Sequence, residues 1–485
     1  MTVDDQNIAK GGVPSGVTLD DAAIQEFAAN FRGELIRSRD DGYDAARAVF
    51  NGMIDRRPEL IARCTGVADV MAAVSFAREH DLPVAVRGGG HSVPGYAVCD
   101  GGVVIDLFPM KGVWVNPEAR TARAQAGLFW GELDRETQAF GLAVTGGRYS
   151  NTGIAGLTLG GGSGWLERKI GFTVDNLLSA DVVTADGRLV RASEEENEDL
   201  FWGLRGGGGN FGIVTSFEYR LHPIGPLVLG GMLMYPVDRA REVLRFYRDF
   251  IEEAPDELGG GCAFVTAPPE PFVPEHLRGT QILAIVVCYA GPVKDGEGAI
   301  RPLKEFGAPA VDMVGPMPYT VLQSMTDAGT PSGMQNYWKA GFLDELPDEA
   351  IDTFVEHAQK VTSPLTQVHL LPMGGAISRV AEGETPLALR DAAFNFHAIG
   401  MWADPAEQAE HVSWAQELEA AMLPWTTERI YLNFIEDEGE ERVRTAFDPE
   451  TYGRLVALKD KYDPTNMFCL NQNIKPSRGL AQPVT

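Results

Sequence analysis

In "VRGGGHSVPG" one histidine, His91, follows three glycines, Gly88, Gly89 and Gly90, between Arg87 and Ser92. A turn needs one or two glycines, so three call for another reason. Without Cβ atoms, successive backbone N–H groups can turn towards one anion and a ligand can approach closely. A pyrophosphate is the natural candidate. A neutral imidazole beside it would be a nucleophile near pH 7. Two further stretches repeat the glycine signal, "TGIAGLTLGGGSGW" at 152–165 and "RGGGGNFG" at 205–212. The last contains G-x-G-x-x-G at Gly207, Gly209 and Gly212. A dinucleotide-binding turn requires a strand before it and a helix after it. Here the order is reversed. "SEEENEDLFWGLR" reads as a helix with a capping box at Ser193 and Glu196, and "IVTSFEYRL" reads as a strand. No G-K-[ST] follows, so the P-loop is excluded as well.

Three other polar groups fall on alternating patterns. "IYLNF" reads as a strand of period two, which puts Tyr431 and Asn433 on one face. "TQVHLLPMGGAISRV" puts Gln367, His369 and Leu371 on one face, and "AFNFHAIGMW" does the same for Asn395 and His397. Lys339 in "NYWKAGFL" is a weaker candidate. His80, His222, His276, His357 and His411 sit in helix ends or loops and take no role.

The elements around these groups divide the chain. "ELIARC", "LPVAVRG" and "GGVVIDL" are strand patterns, and "GVADVMAAVSFAREHD" is an amphipathic helix with Val67, Val70, Met71, Val74 and Ala77 on one face. Short strands and turns then continue to Leu221, which indicates a second, β-rich lobe. After "PIGP" the character changes. Long strand patterns ("LVLGGMLMYP", "GGCAFVTAPP", "QILAIVVCYAG") mix with amphipathic helices ("VDRAREVLRFYRDFIEEAP", "DEAIDTFVEHAQKV"). The expectation is α+β, a large antiparallel sheet with helices on one face. The boundaries expected are 1–225, 226–424 and 425–485. The final "YDPTNMFCLNQNIKP" is turn-rich and polar.

Composition bounds the function classes. The chain has 485 residues and a formal net charge of −27. That charge repels nucleic acid and anionic membranes, so neither is expected as a partner. The apolar run at 282–291 is about half the length needed to span a bilayer. Residues 1–16 have no basic start and no apolar core, so no signal peptide is expected. The five cysteines are odd in number, with no pair close in sequence. That argues against a disulfide framework or metal site and fits a cytoplasmic location.

"CTGVADVMAAVSFAREHDLPVAVRGGGHSVPGYAV", "GLTLGGGSGWLERKIGFTVDNLLSADVVTADG" and "LFWGLRGGGGNFGIVTSFEYRL" resemble the PCMH-type FAD-binding domain of the vanillyl-alcohol-oxidase superfamily. "YLNF" and "YGRLVALKDKYDPTNMFCLNQNIKP" resemble the berberine-bridge C-terminal motif. Together they narrow the resemblance to the berberine bridge enzyme-like oxidases, bacterial branch. The resemblance covers roughly 55–222 and 425–476; between them it is one of pattern only.

That resemblance implies a two-lobed FAD-binding domain beside an α+β substrate domain. It implies FAD attached through His91, by the 8α-methyl of the isoalloxazine. Many plant and fungal relatives carry a second link through a cysteine; the matching position here is Tyr149, so attachment through His91 only is expected. The implied cofactor-binding residues are Arg87, Gly88, Gly89, Gly90, Ser92, Thr152, Gly153, Gly156, Gly212, Val214, Asn471 and Asn473. Thr152 and Gly153 would lie near the flavin C4a edge and leave room for O₂. Tyr431 would act as base, or hold it, with Asn433 orienting the substrate and His369 and His397 lining the pocket. The implied activity is a covalent-FAD oxidase acting on an alcohol, an amine or a phenolic natural product and making H₂O₂, as a monomer or homodimer. A dehydrogenase with another acceptor and a non-catalytic flavin carrier are the alternatives.

Overall fold

The computed structural model describes residues 19–480; the N-terminal stretch expected to lack a signal peptide lies outside them. Three large sheets organise the described residues, beside a two-stranded one that pairs Leu142–Ala143 with His222–Pro223. The first has the order Glu34–Arg37, Leu60–Arg63, Val103–Asp106, Val84–Arg87. Its last three strands run parallel, and the helix Val67–Glu79 makes the crossover. Runs such as "VVID", apolar but for Asp106, are buried throughout, as parallel strands covered on both faces must be. The second sheet is antiparallel, in the order Val113–Asn116, Thr121–Gln125, Ile213–Arg220, Leu177–Val183, Leu189–Ser193. One apolar cluster joins these two sheets with residues Ile430–Ile474 of the last segment.

The third sheet has eight antiparallel strands between Leu227 and Trp402. Its Val368, Leu370, Phe396 and Ala398 side chains pack under the helices Ala240–Glu253, Asp348–Ala358 and Gln408–Met422. Alternation then turns His369, Leu371 and His397 to the opposite face. The α+β layering with helices on one face is therefore present. Among the described residues no helix is long and apolar enough to cross a membrane, and all five cysteines are free.

Two local expectations are corrected. Ser193 ends the strand Leu189–Ser193, and its Oγ accepts from the Glu195 and Glu196 N–H groups in a tight turn. The helix starts later, at Glu198, behind Asn197 in the left-handed conformation. "IYLNF" is no strand either: Leu432–Phe434 is a single 3₁₀ turn. It lies beside the strand Gln335–Leu343 without pairing to it. Tyr431 and Asn433 are hydrogen-bonded to the loop at 157–163, and Phe434 packs on the third sheet.

Candidate active site

The strand Val84–Arg87 ends at the glycine run. Gly90 has φ +71°, a left-handed conformation that glycine adopts without strain. Gly89 is crowded by another chain segment: a Cβ there would lie 2.5 Å from the Gly153 Cα. The first two glycine-rich stretches therefore touch, and only glycine permits it. Arg87 turns the other way. Its Nε and Nη2 donate to the two Asp106 carboxylate oxygens at 3.1 and 2.7 Å, and Nη1 donates to the Ala46 carbonyl.

His91 follows on the wall of a cavity of about 300 Å³, lined by residues from all three sheets and from the last segment. Its ring stacks on Phe50, with centroids 3.9 Å apart and planes at 15°. Burial pushes its pKa down to about 4, so the imidazole is neutral at pH 7. Its Nε2 is buried without a protein partner. Buried polar atoms ordinarily have partners, so a lone one on a cavity wall points to a bound group.

Trp338 lies 6.1 Å from His91 and 5.0 Å from His397, centroid to centroid. Phe434 stacks on His397 at 4.2 Å. His397 and His369 are directly opposed across two strands. Burial lowers the pKa of both, to about 3 for His369, with the nearby Arg148 charge adding to it. His369 Nε2 donates to Gln367 Oε1 at 3.0 Å, whereas His397 Nε2 has no partner.

Tyr431 does not line this cavity; it lines a small void beside it. Its Oη accepts three N–H groups, from Gly162 at 2.7 Å, Ser163 at 3.0 Å and Asn433 Nδ2 at 3.1 Å. Burial raises its pKa to about 12 against those hydrogen bonds. Asn433 also donates to the Leu157 carbonyl at 3.0 Å and does line the cavity. Tyr431 and Asn433 are thus adjacent, but through a turn and a hydrogen bond instead of a strand face.

Most of the expected set shares the cavity wall: Gly88, Gly89, Gly90, Ser92, Thr152, Gly153, Gly156, Gly212, Val214 and Asn471, with His369, His397 and Asn433. Three do not. Arg87 is committed to Asp106, Tyr431 to the 162–163 amides, and Asn473 is displaced by its neighbour Gln472, which faces the cavity instead. Phe50, Trp338 and Arg148 were not singled out in the sequence. Single aromatic or basic residues outside a motif carry no signal there. Lys339 is bound to Glu419 at 3.2 Å and to Glu438 at 2.5 Å, away from the cavity.

Residues 58–193 match the model of an FAD binding domain, and 430–475 match that of berberine and berberine-like proteins. The (R)-6-hydroxynicotine oxidase of Paenarthrobacter nicotinovorans is 31% identical over 463 residues, covering 92% of this chain and 97% of the relative. This chain is a berberine bridge enzyme-like FAD-linked oxidoreductase. The FAD-linked oxidoreductase YgaK of Bacillus subtilis (strain 168) is 32% identical over 458 residues, covering 92% and 97% of the two chains. The crystal structure of 6-hydroxy-D-nicotine oxidase from Arthrobacter nicotinovorans superposes with a TM-score of 0.83 at 30% identity, covering 92% of this chain and 98% of the other. The fold is accordingly that of the PCMH-type FAD oxidases. The residues fit the cofactor: the oxidoreductase has a cavity of about 300 Å³, a glycine cradle that a Cβ would fill, and the unpartnered polar atoms His91 Nε2 and Asn471 Oδ1 on its wall.

Proposed function

We propose that this oxidoreductase carries FAD covalently through His91 alone, takes a hydride from a small or medium organic substrate, and reduces O₂ to H₂O₂. One observation carries the reading: a half-buried, neutral His91 imidazole, stacked on Phe50, with a buried, unpartnered Nε2 on the cavity wall. Bound FAD supplies the hydride acceptor. The glycine amides at 88–90 and 153 would hold its pyrophosphate. Gly212 and Val214 would take the adenine end, and Asn471 the ring and ribityl side.

His369 and His397 face the same cavity from the third sheet. Both stay neutral, so each keeps a ring lone pair that can accept a hydrogen bond from the substrate, while burial makes both weak bases. His397 is the better placed, since its Nε2 has no competing partner. We assign it as the hydrogen-bond acceptor for the O–H, N–H or phenol proton of the substrate; burial holds its pKa too low for it to be a strong base, so it orients the reacting group. Asn433 orients the substrate beside it. Tyr431 becomes a positioning residue that fixes Asn433 and the 162–163 turn. The substrate classes in view are an alcohol, an amine or a phenolic natural product. A relative named as a 6-hydroxynicotine oxidase favours O₂ as acceptor.

The test is to photoreduce the enzyme, admit air, and follow flavin absorbance and peroxide together. Colour and peroxide should return in step, and Thr152→Leu should slow both by narrowing the wall at the expected oxygen approach. Colour that stays bleached until an artificial acceptor is added would leave a dehydrogenase.

A further inference from the structure

The third sheet carries a row of residues straight across its cavity face. Ala340 pairs with His397, His397 with His369, His369 with Ala263, Ala263 with Ala284, and Ala284 with Met234. Two histidines are followed by two alanines. On a sheet face covered by another layer, such positions ordinarily hold large apolar side chains. The small ones leave a side pocket of about 50 Å³ floored by Ala263 and Ala284 and walled by Met232 and Val286. Ala263 and Met232 stay half-buried, so apolar surface there is unmatched by protein.

The pocket and the large cavity share His369 and Arg148. Arg148 is 8% exposed. It donates to Ser163 Oγ at 2.8 Å and to Glu167 Oε1 at 2.6 Å, which pairs its charge with a carboxylate. Its Nε is buried without a partner. One free donor therefore stands where the two spaces meet.

We propose that the substrate has two parts: a reacting end bearing a hydrogen-bond acceptor, set between His397 and Arg148 Nε, and a short apolar arm lying over Ala263 and Ala284. At about 10–15 Å³ per water-sized unit, the side pocket takes an arm of roughly four carbons. Tyr149, Trp165, Thr326 and Gln367 also line the pocket, but hydroxyls laid on its Ala263, Ala284 and Val286 face would meet no partner there, which disfavours uniformly polar substrates such as sugars. The inference rests on the oxidase reading only for which end of the substrate reacts.

The test uses the holoenzyme and the series phenol, 4-ethylphenol and 4-propylphenol, titrated against the flavin difference spectrum without turnover. Affinity should tighten roughly fourfold per added methylene. Ala263→Leu should flatten that slope, bringing 4-propylphenol to the affinity of phenol, while phenol itself binds as before. Ala284→Val should flatten it partly and serves if the leucine variant fails to fold, as judged by melting temperature and flavin content. Equal affinities across the wild-type series, no binding by any member, or an unchanged slope in both variants would each overturn the proposal. A flat series says nothing against peroxide release, and absent peroxide leaves the affinity slope standing.

Discussion

At the scale of single residues, Tyr431 separates catalysis from positioning. A phenol carries two lone pairs, yet three N–H groups converge on its oxygen. Removing that oxygen leaves buried donors unsatisfied, which costs about 1–3 kcal/mol for each. Tyr431→Phe should therefore lower the melting temperature and slow flavin reduction through a misplaced Asn433, with the pH profile of the reductive step unchanged in shape. Anaerobic stopped-flow across pH, beside calorimetry, checks both. A variant of wild-type stability that has lost one ionisation from its profile would restore Tyr431 as the base. His91 was legible from sequence because its three glycines form a motif. The partners that tune it, Phe50 and Trp338, lie 41 and 247 residues away in the chain and belong to none.

Elements position these groups through a short strap. Phe50 N donates to the Gly90 carbonyl at 3.0 Å, and Gly333 N to the Phe50 carbonyl at 2.9 Å. Asn51 Nδ2 donates to the Val93 and Asn336 carbonyls at 2.7 and 3.0 Å. One segment thus ties the His91 loop to the third sheet while laying the Phe50 ring on the imidazole. Phe50→Ala should keep FAD bound, because the glycine cradle is untouched, but lower the fraction retained after acid precipitation. Phe50→Tyr should rescue it, since the stacked ring remains; equal retention in the alanine variant would make the stack incidental. The long strands and amphipathic helices were readable because their periodicity matches their burial. "IYLNF" misled because alternation over five residues also suits a turn whose side chains are held by tertiary hydrogen bonds. The Ser193–Glu196 spacing misled because a serine hydroxyl satisfies turn amides as readily as helical ones.

For the whole molecule, three sheets enclose one cavity and bury neutral histidines in it. The pKa of His369 falls to about 3 and that of His397 well below its ordinary value, against about 6.5 in an unfolded chain. Unfolding therefore takes up protons, and the stability these groups give is complete above about pH 6.5 and lost as pH falls through the folded values. Burial of Glu436, raised to about 7, works in the opposite direction, and it cancels when a variant is compared with the wild type. The drop in melting temperature from pH 7 to pH 5 should be smaller in His369→Gln than in the wild type; an equal drop would mean His369 is not held neutral. Sequence motifs pointed to the cavity wall that carries His91 and the glycine loops, since glycine loops are local in the chain. The wall formed by the third sheet was only partly legible, because it is assembled from strand registers that no single stretch encodes. The central claim is that His91 alone holds the flavin. Proteolysis of acid-precipitated enzyme followed by mass spectrometry tests it most directly. The flavin mass should appear on the peptide containing His91 and on no other, and vanish in His91→Ala. A colourless precipitate with all FAD in the supernatant, or a flavin on any other peptide, would contradict it.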